Sequence, residues 1–164
     1  MATFEFPGEI SGSQNTNLFE TLGAKIKVIG VGGAGGNAIN SMISENITGV
    51  EFIAINSDFQ DLQKSKSKRV IQIGKNIAKG LGVGGDPSLG SECAKADQNE
   101  ITDALQGADM VFITAGMGGG TGTGASPVVA KLARDAGALT IAIVTKPFEF
   151  EANKRITQAD SGIN

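Results

Sequence analysis

The distribution of glycine constrains this chain more than any other feature of its sequence. Glycine accounts for 24 of the 164 residues, about twice the ordinary share, and most of these glycines lie in three clusters. The clusters cover residues 30–36, 80–85 and 116–124, each after a short apolar run typical of a buried strand. Because glycine lets the backbone approach a ligand closely, the clusters predict loops that bind a polyphosphate with main-chain atoms.

The rest of the chain alternates between strand and helix patterns. The predicted strands cover 26–29, 51–55, 69–73, 109–114 and 139–145. The predicted helices cover 37–47, a short segment capped by Ser57, then 88–106, 125–136 and the residues from 151 onward. This alternation predicts an α/β fold: a Rossmann-like open parallel sheet with helices on both faces. All three glycine clusters then lie at the carboxyl ends of strands, where open sheets of this kind bind ligands.

The domain is predicted to begin near residue 24. Residues 1–23 are polar and rich in turn-forming residues, which predicts a flexible N-terminal tail. No targeting segment and no membrane-spanning apolar run is evident in the sequence, so we expect a cytoplasmic protein.

Composition excludes several classes of chemistry. The formal net charge of −3 argues against a basic nucleic-acid-binding module. The chain has no histidine and one cysteine, Cys93, which excludes Ser-His and Cys-His nucleophiles, an internal disulfide and histidine-ligated metals. Cys93 is predicted to be a small core residue of the long helix.

The first glycine cluster also permits a dehydrogenase interpretation. Residues 30–35 read G-x-G-x-x-G, the fingerprint of dinucleotide-binding domains. Such domains place an acidic residue at the end of the second strand, where this chain has Asn56. A dehydrogenase therefore remains an alternative, and the third cluster argues against it.

Residues 118–124 read G-G-G-T-G-T-G, which matches the tubulin signature. Further motifs follow the same family in the same order, including residues 25–37, 54–58, 79–82, 107–123 and 145–151. The sequence from about residue 24 onward resembles FtsZ, the family of tubulin-like GTPases of bacterial cell division. The resemblance implies the tubulin/FtsZ GTPase fold, of which this chain would hold the N-terminal, nucleotide-binding part.

The resemblance also implies which residues bind GTP or GDP. The first loop would lie under the nucleotide, the signature loop would wrap the phosphates, the loop before residue 86 would sense the γ-phosphate, and two residues of the last helix would reach the ribose. The implied binding residues are Gly33, Ala34, Gly35, Gly36, Asn37, Asn56, Gly84, Gly85, Gly116, Gly118, Gly119, Gly120, Thr121, Gly122, Thr123, Glu151 and Arg155. Mg²⁺ would be bound through the phosphates, with no metal ligands and no catalytic residue from this chain.

The family's function implies self-association or assembly with full-length FtsZ-type subunits into filaments that form the septum, with other division proteins as further partners. Hydrolysis is expected only at a subunit interface, where a neighbour supplies an acidic loop, so we expect no GTP hydrolysis by this chain alone. A non-catalytic form that caps or modulates filaments of the full-length protein is the alternative.

Overall fold

The computed structural model describes residues 23–148, 150 and 153–163. The predicted tail therefore lies almost entirely outside the described residues. The strands are β1 (Ile26–Val31), β2 (Val50–Asn56), β3 (Arg69–Gln72), β4 (Met110–Gly116) and β5 (Leu139–Thr145). The helices are α1 (Gly32–Ser44), α2 (Phe59–Gln63), α3 (Pro87–Ala96), α4 (Gln98–Leu105), α5 (Thr121–Asp135) and α6 (Asn153–Ile163).

The five strands form one sheet in the order β3-β2-β1-β4-β5, and every neighbouring pair is parallel. The chain runs outward from β1 to β3, then returns to the centre and adds β4 and β5 on the other side. The point of reversal lies between β1 and β4, and a crevice opens at the carboxyl ends of strands at such a point. The predicted Rossmann-like α/β fold is confirmed.

The core lies between the sheet and helices α3, α4 and α5. Alternate residues of the two central strands face these helices, including Ile29, Val31, Val111 and Ile113, which are all fully buried. Near-continuous burial of β1 is expected because a central parallel strand is covered on both faces.

Helix α1 covers the other face of the sheet and lies unusually close to it. It contacts β1, β2 and β4. A Cβ atom at Gly35 would overlap the carbonyl oxygen of Thr114, and one at Gly30 would overlap the carbonyl oxygen of Gly35. These two glycines therefore let the first turn of α1 touch the strands directly, which fixes where that helix begins.

Three predicted helices differ from the structure. Helix α1 begins at Gly32 rather than residue 37, and α5 begins at Thr121 rather than residue 125, because the glycines expected to form loops are the first helical turns. The predicted helix 88–106 is two helices that meet at Asp97, which has non-helical dihedral angles and whose carboxylate accepts a 2.6 Å hydrogen bond from the Gly74 N–H.

The cap of α2 also differs from the prediction. Asp58, not Ser57, is the N-cap, and its side chain accepts hydrogen bonds from the N–H groups of Gln60 and Asp61. Ser57 is instead fully buried, which leaves its hydroxyl available for the contact described below.

The sheet ends on one side at β5, whose Leu139, Ile141 and Ile143 are exposed. Among the residues that the structure describes, no helix combines the length and apolar character needed to cross a bilayer.

Candidate functional site

A cleft of about 390 Å³ opens at the carboxyl ends of the strands. Its floor is the start of α1 and its walls are the loop after β2, the loop before α3 and the loop between β4 and α5. All three predicted glycine clusters contribute to it. The lining residues are Val31, Gly32, Gly33, Ala34, Asn56, Asp58, Asp61, Leu81, Gly82, Val83, Gly84, Gly85, Gly116, Met117, Gly118, Gly119, Gly120, Thr121, Gly122 and Arg155.

The loop between β4 and α5, residues 117–120, is held in shape by its own hydrogen bonds. The Met117 N–H donates to the carbonyl of Thr145 at 2.8 Å, and the Gly118 N–H donates to the Thr123 hydroxyl at 2.8 Å. The next N–H groups, at Gly119, Gly120 and Thr121, find no acceptor in the described part of the chain. These three donors therefore remain available to a ligand in the cleft.

Two helices begin at this cleft. The first turns of α1 and α5 contain no acidic residue, and both lie on the cleft lining. The first N–H groups of a helix have no intrahelical acceptor and carry the positive end of the helix dipole. Two such termini favour an anion with several oxygen atoms, of which a phosphate chain is the common biological example.

The two helix starts are packed against each other through glycine. Gly32 has a φ of +72°, a conformation that glycine adopts without strain. A Cβ atom there would also lie 2.9 Å from the Gly122 nitrogen. Any larger residue would push α1 and α5 apart, so this glycine brings the two sets of N–H donors to one place.

The loop between β4 and α5 is packed equally closely against the loop before α3. A Cβ atom at Gly120 would overlap the Val83 side chain and lie 2.9 Å from the Asp86 nitrogen. Asp86 is the N-cap of α3, accepting hydrogen bonds from the Ser88 and Leu89 N–H groups. This wall of the cleft therefore packs directly against the capped start of α3.

The wall formed after β2 carries the carboxylates of the cleft. Asn56 is buried and its side-chain oxygen accepts a 3.2 Å hydrogen bond from the Asp58 N–H, which orders the turn. Asp58 also pairs with Leu81 as an isolated antiparallel bridge, and the Phe59 N–H donates to the carbonyl of Gly80 at 3.0 Å. Asp58 and Asp61 both line the cleft, and the Asp61 carboxylate lies beside the first turn of α1, 3.1 Å from where a Cβ atom at Gly33 would be.

Most of the predicted binding residues lie on this cleft. They are Gly33, Ala34, Asn56, Gly84, Gly85, Gly116, Gly118, Gly119, Gly120, Thr121, Gly122 and Arg155. Arg155 is exposed on α6, and its backbone carbonyl would lie 3.0 Å from a Cβ atom at Gly118. Glu151, the predicted partner of Arg155 at the ribose, lies outside the described residues.

Four predicted residues do not line the cleft. Gly36 and Asn37 line a small cavity of about 30 Å³ behind it, between α1, β2 and α2. Gly35 is buried against the sheet. Thr123 is buried, and its hydroxyl accepts the hydrogen bond from Gly118. In this geometry Gly35 and Thr123 shape the site from behind, rather than facing a ligand.

Sequence reasoning missed one contact that crosses the site. The Ser57 and Thr121 hydroxyl oxygens lie 2.7 Å apart, joining the end of β2 to the first residue of α5. Asp61 was missed as well, because its sequence pattern does not differ from that of an acidic side chain that faces only solvent on a short helix. The only available signal for Ser57 was its position directly after a buried strand that ends beside the ligand edge.

The carboxylates of the cleft bear on whether it fits a metal ion. Among the residues described, no group of three or more histidine, cysteine, aspartate or glutamate side chains could hold one. Asp58 and Asp61 are nevertheless on the cleft. One or two carboxylates beside phosphate oxygens and water are the usual surroundings of Mg²⁺ at a nucleotide, so the residues present fit that ion.

Cys93 takes no part in the cleft chemistry. It is fully buried in the core, as predicted, and a Cβ atom at Gly74 would overlap its sulfur. Burial raises the pKa of its thiol, and the negative charges of Glu92 and Asp97 raise it further. The thiol is therefore protonated and unreactive near neutral pH.

The fold and the cleft define a class of protein: a doubly wound α/β domain whose cleft at the strand reversal presents main-chain N–H donors. Residues 25–164 match the Tubulin/FtsZ family, GTPase domain. The chain belongs to this family. The resemblance to the FtsZ family, which the motif at residues 118–124 first indicated, is thereby confirmed.

Solved structures agree with this assignment. An empty FtsZ dimer from M. jannaschii has 48% identity and a TM-score of 0.84, covering 91% of this chain and 44% of its own. A GTPγS-bound protofilament of CetZ2 from Haloferax volcanii has 33% identity and a TM-score of 0.77, covering 85% of this chain and 45% of its own. CetZ from Methanosaeta thermophila has 25% identity and a TM-score of 0.73, covering 84% and 41%. This chain thus spans less than half the length of these relatives.

Proposed function

We propose that this chain binds GTP and GDP in the cleft at the carboxyl ends of the strands. The observation that carries the proposal is the convergence of two helix N-termini, those of α1 and α5, with the unpaired N–H groups of residues 119–121. A triphosphate supplies enough acceptor oxygens to satisfy these donors together. Membership of a GTPase family supports guanine as the base.

Individual roles follow from position. Gly119, Gly120 and Thr121 would donate their N–H groups to the phosphates, and Gly33 and Ala34 would do so from the first turn of α1. The loop at Gly84 and Gly85 would sense the γ-phosphate, and Arg155, with Glu151, would contact the ribose. Mg²⁺ would be carried by the phosphates, with Asp58 and Asp61 as the nearest carboxylates.

We further propose that the nucleotide serves filament assembly at a cytoplasmic division site. The protofilament of CetZ2, a member with 33% identity to this chain, supports assembly. Hydrolysis would occur only where a neighbouring subunit adds an acidic group beside the nucleotide. Pure chain is then expected to turn over little GTP by itself, and phosphate release at a steady, substantial rate would contradict that expectation.

The binding proposal is tested by displacing a fluorescent GTP analogue from the 164-residue chain with GTP, ATP or NADH. We expect GTP to compete best, whereas displacement by NADH would favour the dehydrogenase alternative. The decisive variant is Gly119→Val. A Cβ atom at Gly119 meets no atom within 4 Å, so the new side chain would fill the cleft without disturbing the fold and should abolish binding.

Its matched control is Ala136→Val, which adds the same side chain at the exposed opposite end of α5. Circular dichroism and urea unfolding establish that both variants fold. Binding that survives Gly119→Val unchanged would place the nucleotide elsewhere and overturn the proposal.

A further inference from the structure

The buried hydroxyl of Ser57 does not line the cleft itself, but it contacts the hydroxyl of Thr121, which does. Ser57 has no solvent exposure and follows β2, whereas Thr121 is part-buried at the first position of α5 and lines the cleft. Their hydroxyl oxygens are 2.7 Å apart, a normal hydrogen-bond length between two hydroxyl groups. One of the two must therefore be the donor.

Counting protons decides which one it is. A hydroxyl has one proton to donate and two lone pairs that accept. Within the described residues, Ser57 Oγ has no hydrogen-bond partner other than Thr121 Oγ1. If Thr121 donated, the Ser57 proton would be buried with no acceptor, which is costly. Ser57 is therefore the donor in the better-satisfied arrangement.

This direction has a consequence for the ligand. With one lone pair of Thr121 Oγ1 occupied by the Ser57 proton, the proton of Thr121 stays free. Thr121 itself lines the cleft. The free proton is thus available on the cleft side, where an acceptor oxygen of a phosphate would lie.

We propose that Ser57 is a positioning residue that makes the Thr121 hydroxyl a dedicated donor to nucleotide phosphate; this rests on the proposed function above. Ser57 does not touch the nucleotide itself. Without it, the Thr121 hydroxyl can rotate, and it presents either its proton or its lone pairs to the phosphate. The lone pairs repel an anion, so part of the binding affinity is lost.

The test is a double-mutant cycle in GTP affinity, measured by competition on the full 164-residue chain. Ser57→Ala is expected to weaken binding about fivefold, and Thr121→Val about tenfold or more, since it removes the donor itself. In the Thr121→Val background, Ser57→Ala should have no further effect. Thr121→Ser, which keeps the hydroxyl, should bind within about twofold of wild type.

Ser67→Ala is the matched control for loss of a buried hydroxyl. Its Oγ donates to the carbonyl of Phe52 at 2.7 Å, near the opposite end of the sheet, so GTP affinity should not change. Ser57→Cys, which keeps a weaker donor, covers the case in which Ser57→Ala does not fold, and it should lose less affinity than Thr121→Val.

The outcomes separate this inference from the proposed function. Wild-type chain that fails to bind GTP overturns both. Wild-type chain that binds GTP, together with a Ser57→Ala variant of equal affinity, overturns only the positioning role. Losses that simply add in the double variant also overturn it, because they would show that Ser57 acts on stability or on another group.

Discussion

The two ends of the sheet present different chemical groups: main-chain N–H groups at the carboxyl end and charged side chains at the amino end. At the carboxyl end, glycine loops and helix N-termini present main-chain N–H groups to a cleft of about 390 Å³. At the amino end, a larger cleft of about 1030 Å³ is lined by charged side chains, including Lys25, Lys27, Glu51 and Arg69. None of its described lining residues begins a helix, so the kind of donor, rather than the volume, favours the carboxyl end as the candidate ligand site.

Three of the charged side chains at the amino end, those of Lys27, Glu51 and Arg69, are paired within the protein. Lys27 is buried within β1, and its Nζ donates to the carbonyls of Ala104 and Gln106 at 2.8 and 3.1 Å. The same ammonium lies 3.3 Å from Glu51, which also pairs with Arg69 at 3.6 Å. The contacts of Lys27 hold the end of α4 and the strand β2 to β1. By contrast, the N–H groups of residues 119–121 have no acceptor within the described residues.

The largest expected effect is a pair of opposite results at adjacent glycines. Gly35→Ala should lower the free energy of unfolding by about 3 kcal/mol, because its Cβ would overlap the Thr114 carbonyl and force α1 off the sheet. Gly36→Ala should raise it by about 0.5–1 kcal/mol, since the new Cβ meets open space and alanine favours the helix. Urea unfolding of both variants measures the difference.

Equal effects at the two positions would contradict this account of α1. They would mean that the close approach of helix and strand does not limit residue size, and that the glycines of this turn serve only to expose N–H groups.

The second effect probes the amino end. Lys27→Met should lower the free energy of unfolding by about 2 kcal/mol, because two carbonyls lose their donor and Glu51 loses its buried partner. Nucleotide affinity should be unchanged, since the substitution lies at the other end of the strand. Lys68→Met, at an exposed lysine, is the matched control and should change stability by less than about 0.5 kcal/mol. Altered GTP affinity in Lys27→Met would show that the two ends are coupled.

The contrast between the ends also explains how much the sequence predicts. The order of strands and helices follows from apolar patterns and is confirmed. The three glycine clusters lie together at the carboxyl ends of the strands, as predicted, whereas their role in ligand binding stays a prediction. The boundaries at Gly32 and Thr121 are missed because glycine disfavours helices in isolation, and only close packing makes it the right residue there. The break at Asp97 and the Ser57–Thr121 contact each depend on a partner distant in the chain, which no local pattern reveals.

A third, smaller effect belongs to neither end and comes from the thiol of Cys93 in the core. The folded state raises the pKa of Cys93 above its ordinary value of 9.0, so the folded chain holds this proton more tightly than the unfolded chain. Its stabilisation is complete below that ordinary value and is lost as pH rises above it, by at most about 1.4 kcal/mol per pH unit. Urea unfolding at about pH 8 and about pH 10 should therefore show a shallower decline in Cys93→Ala than in wild type. Identical slopes would contradict the shift.

The smallest expected effect compares an exposed charge with a buried one at the amino end of the sheet. Arg69→Gln removes the second partner of Glu51, but both side chains of this pair are more than 40% exposed, at 41% and 44%. Water screens such a pair, so the free energy of unfolding should fall by less than about 0.5 kcal/mol. Lys27 and Arg69 share the same carboxylate, and thus the ratio of their effects measures what burial and the two carbonyl contacts add. If Arg69→Gln cost as much as Lys27→Met, the stabilisation would come from Glu51 pairing itself, and the amino end would depend on surface charge rather than on the buried ammonium.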